Sequence, residues 1–405
     1  MPKLASKYTC SGCMACKDIC PKNAIFKQIG KDGHRYVSVN PSLCVECKLC
    51  EKICPVVNGC SYGENTLESA FYAGWSKESV LRTNGATTGI FGTLARDFLN
   101  RGGWIAGAIM NGLECNYILS DSYEDIPKLQ GSKYTSSDPT TIYSSVLRKL
   151  KEGDKVLFSG LPCHVAALLN YIPKILHERL YTVDLICGGV SSPLLIDRFV
   201  QNNPDVKSIL SFRNKNRGWK PDGYRYSLTF QTKDGKVVSE SPEKRNLVTD
   251  GFSCELTDRY SCYNCKFSGM HRKSDITIGD LWKDRTFTDQ HFNGVSSLIV
   301  HSEKGKPLLE SANIELSKVS PGQVLVPNHR IYDGRSGKEY LPERRFMGFF
   351  FKYLSYESLL KIYASNLRTK NVLWWPFVLY RLVSFRFLNW FRQRRDNKLL
   401  KEILK

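Results

Sequence analysis

Eight of the chain's 15 cysteines fall within the first 54 residues, in two runs of the same spacing. Cys10-x2-Cys13-x2-Cys16-x3-Cys20-Pro21 is followed by Cys44-x2-Cys47-x2-Cys50-x3-Cys54-Pro55. This spacing suits two [4Fe–4S] cubes, each held by the first three thiolates of one run and by the fourth cysteine of the other. The expected ligand sets are therefore Cys10, Cys13, Cys16 and Cys54 for one cube, and Cys44, Cys47, Cys50 and Cys20 for the second. A disulfide framework belongs to secreted chains, and Met1 to Thr9 holds no apolar signal segment. Zinc sites use pairs of cysteines with one gap between them, not two four-cysteine runs ending in Pro.

Ala24 to Ile29 and Arg35 to Val39 are expected to form two short strands around the turn Gly30-Lys31-Asp32-Gly33. With the two runs they resemble a compact bacterial dicluster ferredoxin domain, over residues 1–60. A chain of 405 residues is too long for that unit alone and implies two or three domains. Residues 58–69 read as a linker, with Cys60 in it as a bystander.

From Phe71 the pattern alternates strands with helices. Phe71 to Trp75 is an apolar strand, and the small-residue loop Thr83 to Gly89 opens a helix from Ile90 to Leu99. Free N–H groups at such a helix start suit a phosphate; capping by Thr87 or Thr88 is the plainer reading. Trp104 to Met110 is a strand with Tyr117 to Leu119 as its partner, and Cys115 reads as a core thiol. The polar loop Gly131 to Ser137 carries Lys133, and Asp138 with Pro139 is expected to cap and start a helix from Thr140 to Leu150.

Two further strand–helix units, Lys155 to Ile172 and Leu180 to Gln201, imply parallel pairing with right-handed crossovers. Cys163 and Cys187 then fall just past the carboxyl ends of neighbouring parallel strands, where open α/β sheets build their sites. Cys262-x2-Cys265 follows with a metal-site spacing. Together these four cysteines suit a third cluster; a zinc site, a redox dithiol and inert thiols are the alternatives. A strand Ile209 to Arg213, a hairpin from Tyr224 to Ser239, and the strand Ser274 to Asp280 come next. Asp280 either holds a backbone turn or faces a cofactor. Ser297 to His301 and a helix near Pro307 to Asn313 close this part.

Several of these pieces resemble the beta subunit of coenzyme F420 hydrogenase/dehydrogenase. They are the Thr87-Thr88-Gly89 loop, Gly131-Ser132-Lys133-Tyr134, Gly160-Leu161-Pro162-Cys163, Asp184 to Gly189, Ser261 to Cys265, and Asp275 to Trp282, in family order over roughly residues 70 to 300. The resemblance implies FAD and a [4Fe–4S] cluster, with Cys163, Cys187, Cys262 and Cys265 as cluster ligands. It makes Thr87, Thr88, Gly89, Ser132, Lys133, Tyr134 and Asp280 the flavin-binding residues. Two departures, Cys187-Gly188-Gly189 for Cys-His-Gly and Thr87-Thr88-Gly89-Ile90 for Ser-Ser-Gly-Gly, bear on the hydride donor more than on the flavin. Relatives with a fused ferredoxin resemble products of surface-polysaccharide gene clusters. That is analogy rather than site evidence.

The expected architecture is thus α+β and α/β: the dicluster unit (1–60), a parallel-sheet flavin and Fe–S domain (70–325, in parts 70–150 and 151–325) and a basic, aromatic helical tail (326–405). The formal charge of +19 is partly offset by bound clusters and favours anionic partners, with a redox protein or reduced carrier foremost. No nucleic-acid-binding signature accompanies it. Thiol-bound, oxygen-sensitive clusters imply the cytoplasm, and no run reaches the roughly 18 apolar residues of a spanning helix. In the tail, Trp374-Trp375-Pro376-Phe377 running into Arg381, Arg386, Arg392, Arg394 and Arg395 suits either the inner membrane surface or a helix docked on protein. The function expected is an iron–sulfur flavoprotein oxidoreductase; the alternative is a flavin-free electron-transfer adaptor. A radical enzyme would need a CxxxCxxC motif, which the sequence lacks.

Overall fold

The computed structural model describes residues 1–59, 69–215, 218–221, 227–241, 243–270, 272–331, 334, 337–364 and 394. Cys60, most of the linker, the start of the hairpin at Tyr224 and the Trp/Arg tail lie outside the described residues.

The first unit is α1 (Ala15–Asp18), β1 (Ile25–Ile29), β2 (Arg35–Val39) and α2 (Leu49–Ile53), with β1 and β2 antiparallel from Ile25↔Val39 to Ile29↔Arg35. Its two cysteine runs repeat in backbone as well as in sequence. Gly12 (φ 75°) and Met14 (φ 55°) in the first run match Glu46 (φ 54°) and Lys48 (φ 59°) in the second, and α1 and α2 start directly after. A left-handed backbone at a non-glycine residue costs about 1–2 kcal/mol. Such strain is kept where it turns successive N–H groups into one concavity, which suits an anionic centre.

The chain then forms β3 (Ala70–Ser76), α3 (Ser79–Asn84), α4 (Ile90–Asn100), the antiparallel hairpin β4 (Trp104–Asn111) and β5 (Glu114–Ser120), α5 (Ile126–Leu129), β6 (Ser137–Asp138) and α6 (Ile142–Glu152). The strand–helix pairs β7 (Val156–Gly160) with α7 (Pro162–Tyr171) and β8 (Leu180–Leu185) with α8 (Leu194–Asn202) follow. A side sheet of β9 (Val206–Ser211), β10 (Thr229–Thr232) and β11 (Val237–Ser239) leads to α9 (Leu247–Cys254) and α10 (Tyr260–Tyr263). The chain returns through β12 (Ile276–Asp280), β13 (Ser296–Val300), α11 (Gly305–Glu310) and β14 (Ile314–Lys318).

The main sheet has the order β14-β3-β13-β12-β8-β7-β4-β5-β6. The expected parallel strands form its centre, β12-β8-β7-β4, and antiparallel strands flank them on both sides. Strands from both sides of residue 150 share this one sheet. Leu94, Ala95 and Phe98 of α4 cover one face of the parallel centre. Tyr143, Val146, Val165 and Leu168 of α6 and α7 cover the other, together with Cys13, Ala15 and Ile53 of the first unit.

That shared core corrects the expected cap of α6. Asp138 turns its carboxylate onto Thr140 in an Asx turn and pairs with Lys27 at 2.6 Å. The N–H groups of Tyr143 and Ser144, in the first turn of α6, instead donate to Asp18 of the first unit at 3.1 Å. A helix start prefers a carboxylate to water, so the cap also fastens the two units together. α4 likewise has Gly89 (φ 74°) at its cap position and no side-chain cap, since Thr87 and Thr88 bond elsewhere.

Beyond β14, residues Pro342–Arg345, Met347–Tyr353 and Tyr356–Tyr363 are helical and pack Met347, Phe351, Leu359 and Tyr363 on Leu195 of α8 and Leu247 of α9. This stretch of the tail is therefore docked on its own domain. Among the described residues no helix is long and apolar enough to cross a membrane.

His301 at the end of β13 sits between the hydroxyls of Thr277 (2.8 Å) and Ser69 (3.2 Å). Burial first, then the charge of Arg272, pulls it down to about 3. The unfolded chain therefore binds a proton here below the ordinary histidine range that the folded chain refuses, and stability falls as pH drops below about 6.5. In anaerobic urea melts at pH 7 and pH 5, H301Q should lower the pH slope by up to about 1.4 kcal/mol per unit. An unchanged slope would sink this assignment.

Candidate metal centres and cofactor cavity

The twelve cysteines singled out in the sequence, by spacing or by place at a strand end, gather in three groups of four. Cys10, Cys13, Cys16 and Cys54 line one cavity, with Met14 and Val37. Cys20, Cys44, Cys47 and Cys50 line a second, under Val45 and Leu49. The fourth cysteine of each run thus crosses to the other run's cavity. Cys163, Cys187, Cys262 and Cys265 line a third. Among the described residues no three His, Cys, Asp or Glu side chains converge on a point that would hold a single metal ion. The thiols of each set line a cavity instead.

Local structure accounts for each position. Pro162 opens α7, so Cys163 lies in its first turn, directly after β7. Cys187 follows β8, Cys262 lies in α10, and Cys265 comes just after it. Burial pushes the Cys13 thiol up to about 12 and Cys187 up to about 11, and raises Cys16, Cys163 and Cys262 well above the ordinary thiol range; neighbouring sulfurs add to the shift at each. Four buried thiolates together are unfavourable without a cationic centre among them, so binding such a centre and losing the protons are linked. Backbone N–H groups already face sulfur: Ala24 donates to Cys20 at 3.3 Å and Phe267 to Cys265 at 3.4 Å.

The cavities lie in sequence through the molecule. Cys47 is exposed at the second one. Cys16, Ile25 and Cys50 pack together between the second and the first. Ser11 lines both the first and the third, and the Ser261 hydroxyl donates to the Cys10 carbonyl at 3.0 Å.

A much larger cavity, of about 520 Å³, opens over the carboxyl ends of the parallel strands. All seven residues expected to bind flavin line it: Thr87, Thr88, Gly89, Ser132, Lys133, Tyr134 and Asp280. Cys187, Gly189, Val190 and Arg330 line both this cavity and the third cysteine cavity, so one wall serves both. Cys115, expected as a core thiol, is buried and also forms part of its lining.

Asp280 holds the loop rather than a turn. Arg213 donates to both its oxygens at 2.7 and 2.8 Å, Trp219 Nε1 donates at 2.9 Å, and the Thr87 hydroxyl donates as well. Burial pushes this carboxyl up, but the Arg213 guanidinium with these donors outweighs it and holds the group below the usual range. Thr88 bonds Ser296 at 2.6 Å. Lys133 commits its ammonium to the carbonyls of Lys128, Leu129 and Gln130 at 2.8–3.0 Å, closing the end of α5. Burial brings it down to about 8. It offers the cavity charge rather than a free donor.

Sequence reasoning missed Arg213 and the Tyr134–Phe252 stack (3.8 Å, 10°) on the cavity wall, and Trp219 as a donor to Asp280. No spacing links these residues, because the side sheet brings them in from a separate stretch.

The start of α4 and its loop give this cavity features that suit a phosphate-bearing ligand. The first N–H groups of the 11-residue α4 have no side-chain cap and border the cavity at Ile90 and Phe91. Lys133 adds positive charge to its wall, which suits a pyrophosphate, while Arg213 is balanced by Asp280. A Cβ on Gly89 would lie 2.2 Å from the Leu81 carbonyl oxygen, so the loop closes this tightly only with glycine.

Three cysteine sets beside a sheet-end cavity define an electron-transfer protein of the iron–sulfur class. The chain carries a region that matches the C terminus of the coenzyme F420 hydrogenase/dehydrogenase beta subunit, together with a 4Fe-4S dicluster domain. Residues 153–321 match the family that describes the C terminus of the coenzyme F420 hydrogenase/dehydrogenase beta subunit, and residues 9–58 match the 4Fe-4S dicluster domain. The chain is similar to one subunit of the F420H2 dehydrogenase of Methanosarcina mazei, the component designated F, with 24% identity over 346 residues, 80% of this chain and 90% of that protein. Among solved structures it is similar to a chain of the F420-reducing [NiFe] hydrogenase complex from Methanosarcina barkeri, at 17% identity and a TM-score of 0.45, covering 69% of this chain and 92% of that one.

Proposed function

We propose that this protein is an iron–sulfur flavoprotein oxidoreductase. It would hold [4Fe–4S] cubes on Cys10/Cys13/Cys16/Cys54, Cys20/Cys44/Cys47/Cys50 and Cys163/Cys187/Cys262/Cys265, and FAD in the 520 Å³ cavity. When bound, a flavin supplies the junction between two-electron hydride chemistry and one-electron transfer, and the cubes supply one-electron relays. The single observation that carries the reading is the shared wall: Cys187 belongs both to the third cysteine set and to the cavity lining.

The chain's own residues would bind, orient and shield. The α4 N-terminus and Gly89 receive the pyrophosphate; Asp280 and Arg213 hold Thr87 and its loop in place. Lys133, buried at the wall, favours negative charge in the cavity. Exposed Cys47 marks the face where a redox protein would exchange electrons with the relay. The reduced deazaflavin named in the relative is the carrier of first choice for the cavity. A surface-polysaccharide substrate rests on the resemblance alone. The reading places the chain in the cytoplasm, where its thiols stay reduced; membrane contact by the tail concerns residues outside those described.

The test is composition, then reduction. Anaerobically purified full-length protein should release about one flavin per chain on heating and contain about twelve iron atoms, the content of three cubes. Reduced deazaflavin should then bleach the bound flavin. Iron without any flavin would replace this reading with the electron-transfer adaptor.

A further inference from the structure

Five arginines are buried among the described residues: Arg213, Arg259, Arg272, Arg330 and Arg344. Four of them face a carboxylate, namely Asp280 at 2.7 Å, Asp184 at 3.0 Å, Glu255 at 2.9 Å and Asp32 at 3.0 Å. Arg259 does not. Its side chain has one hydrogen bond, from Nη2 to the Arg35 carbonyl at 2.9 Å, and stacks over Tyr36 at 5.0 Å. Nε and Nη1 are buried without a partner, and no carboxylate pairs with it among the described residues. An uncompensated cation in the interior is costly and persists only where something answers its charge.

Its position says what that is. The guanidinium lies against Gly12, inside the Cys10–Cys13 loop, where an added Cβ would stand 2.5 Å from Nη2. Its own backbone carbonyl accepts the Cys262 N–H at 2.9 Å. Arg259 therefore stands between the first and third cysteine sets. A cube with about +2 on four thiolates is a centre near −2 and gains another negative charge on reduction.

We propose that Arg259 is the countercharge of these two adjacent clusters, a positioning residue that stabilises their reduced forms and so sets their potentials. The inference rests on the cluster assignment above. Because a dry interior screens little, one cation serves both centres without touching either sulfur set. Its Nε–H and Nη1–H groups are buried donors without a partner.

The experiment uses the full chain, prepared anaerobically with its cofactors, in an EPR-monitored redox titration of wild type, R259Q and R259K. Iron analysis comes first: about twelve atoms in the wild type verifies the reading beneath this one, and a lower wild-type count defeats that reading instead. In R259Q, with iron retained, at least one cluster signal should move to lower potential by about tenfold or more in its reduced-to-oxidised ratio, which is about 59 mV for a one-electron couple. R259K should stay near wild type, since it keeps the charge. Loss of cluster iron in R259Q with retention in R259K would also support the role. Unchanged potentials in R259Q, a shift in R259K but not R259Q, or equal iron loss in both variants would overturn it and leave packing on Gly12 and Tyr36 as the residue's task.

Discussion

C262S should lower the iron content from about twelve atoms per chain to about eight, because serine offers no thiolate to a cube and soft sulfur ligands are what iron–sulfur centres select. The loss should be confined to one centre. The first and second cysteine sets share no residue with the third, and each has its own cavity. Flavin should stay bound, since Cys262 does not line the large cavity. Electron flow is another matter. With the third cube gone, electrons from the cavity would have to pass Cys187 and reach the Cys10 set without a relay. Flavin reduced through the cavity should then no longer reduce the remaining clusters on the turnover timescale. Cys115 supplies the control, being buried at the cavity wall outside all three sets. C115S should keep about twelve iron atoms. Equal iron in C262S and wild type would remove the third centre from the protein.

The parts legible in the sequence were those whose logic is local. Two four-cysteine runs contain most of their own geometry, so even the crossing of Cys20 and Cys54 followed from spacing. The strands after Phe71 carry apolar runs between Gly-rich turns, and Cys163 and Cys187 fall at strand ends for that reason. What escaped depends on contacts between distant segments. Asp138 looks like a cap for α6, yet Asp18, more than a hundred residues away, takes that place. Thr87 and Thr88 look like caps for α4, yet Asp280 and Ser296 claim their hydroxyls. The antiparallel flanks of the sheet were equally hidden, because a short apolar strand reads the same in either direction. Arg259 is the extreme case: only the lack of a paired carboxylate among the described residues, a fact of three dimensions, sets it apart from the four other buried arginines described.

G89A should empty the large cavity of flavin while leaving the iron in place. Two effects combine at this position. The backbone at φ 74° disfavours any L side chain, and the new methyl would stand 2.2 Å from the Leu81 carbonyl oxygen and 2.8 Å from the Arg82 nitrogen. Neither contact can yield by a side-chain rotation, since both partners are backbone. The loop before α4 must therefore move, and with it the uncapped N–H groups that border the cavity. A displacement worth about 1.4 kcal/mol already weakens binding tenfold, and strain at φ > 0 alone is of that order. Flavin content after purification should fall by at least about tenfold. Iron should not, because no cysteine of the three sets lies in this loop. G235A separates the two effects: Gly235 has φ 89° but open space where the Cβ would go, in a turn remote from the cavity. It should lose some stability and keep its flavin. If G89A retains wild-type flavin, the cofactor does not sit against the start of α4, and the 520 Å³ cavity must hold it in another way or not at all.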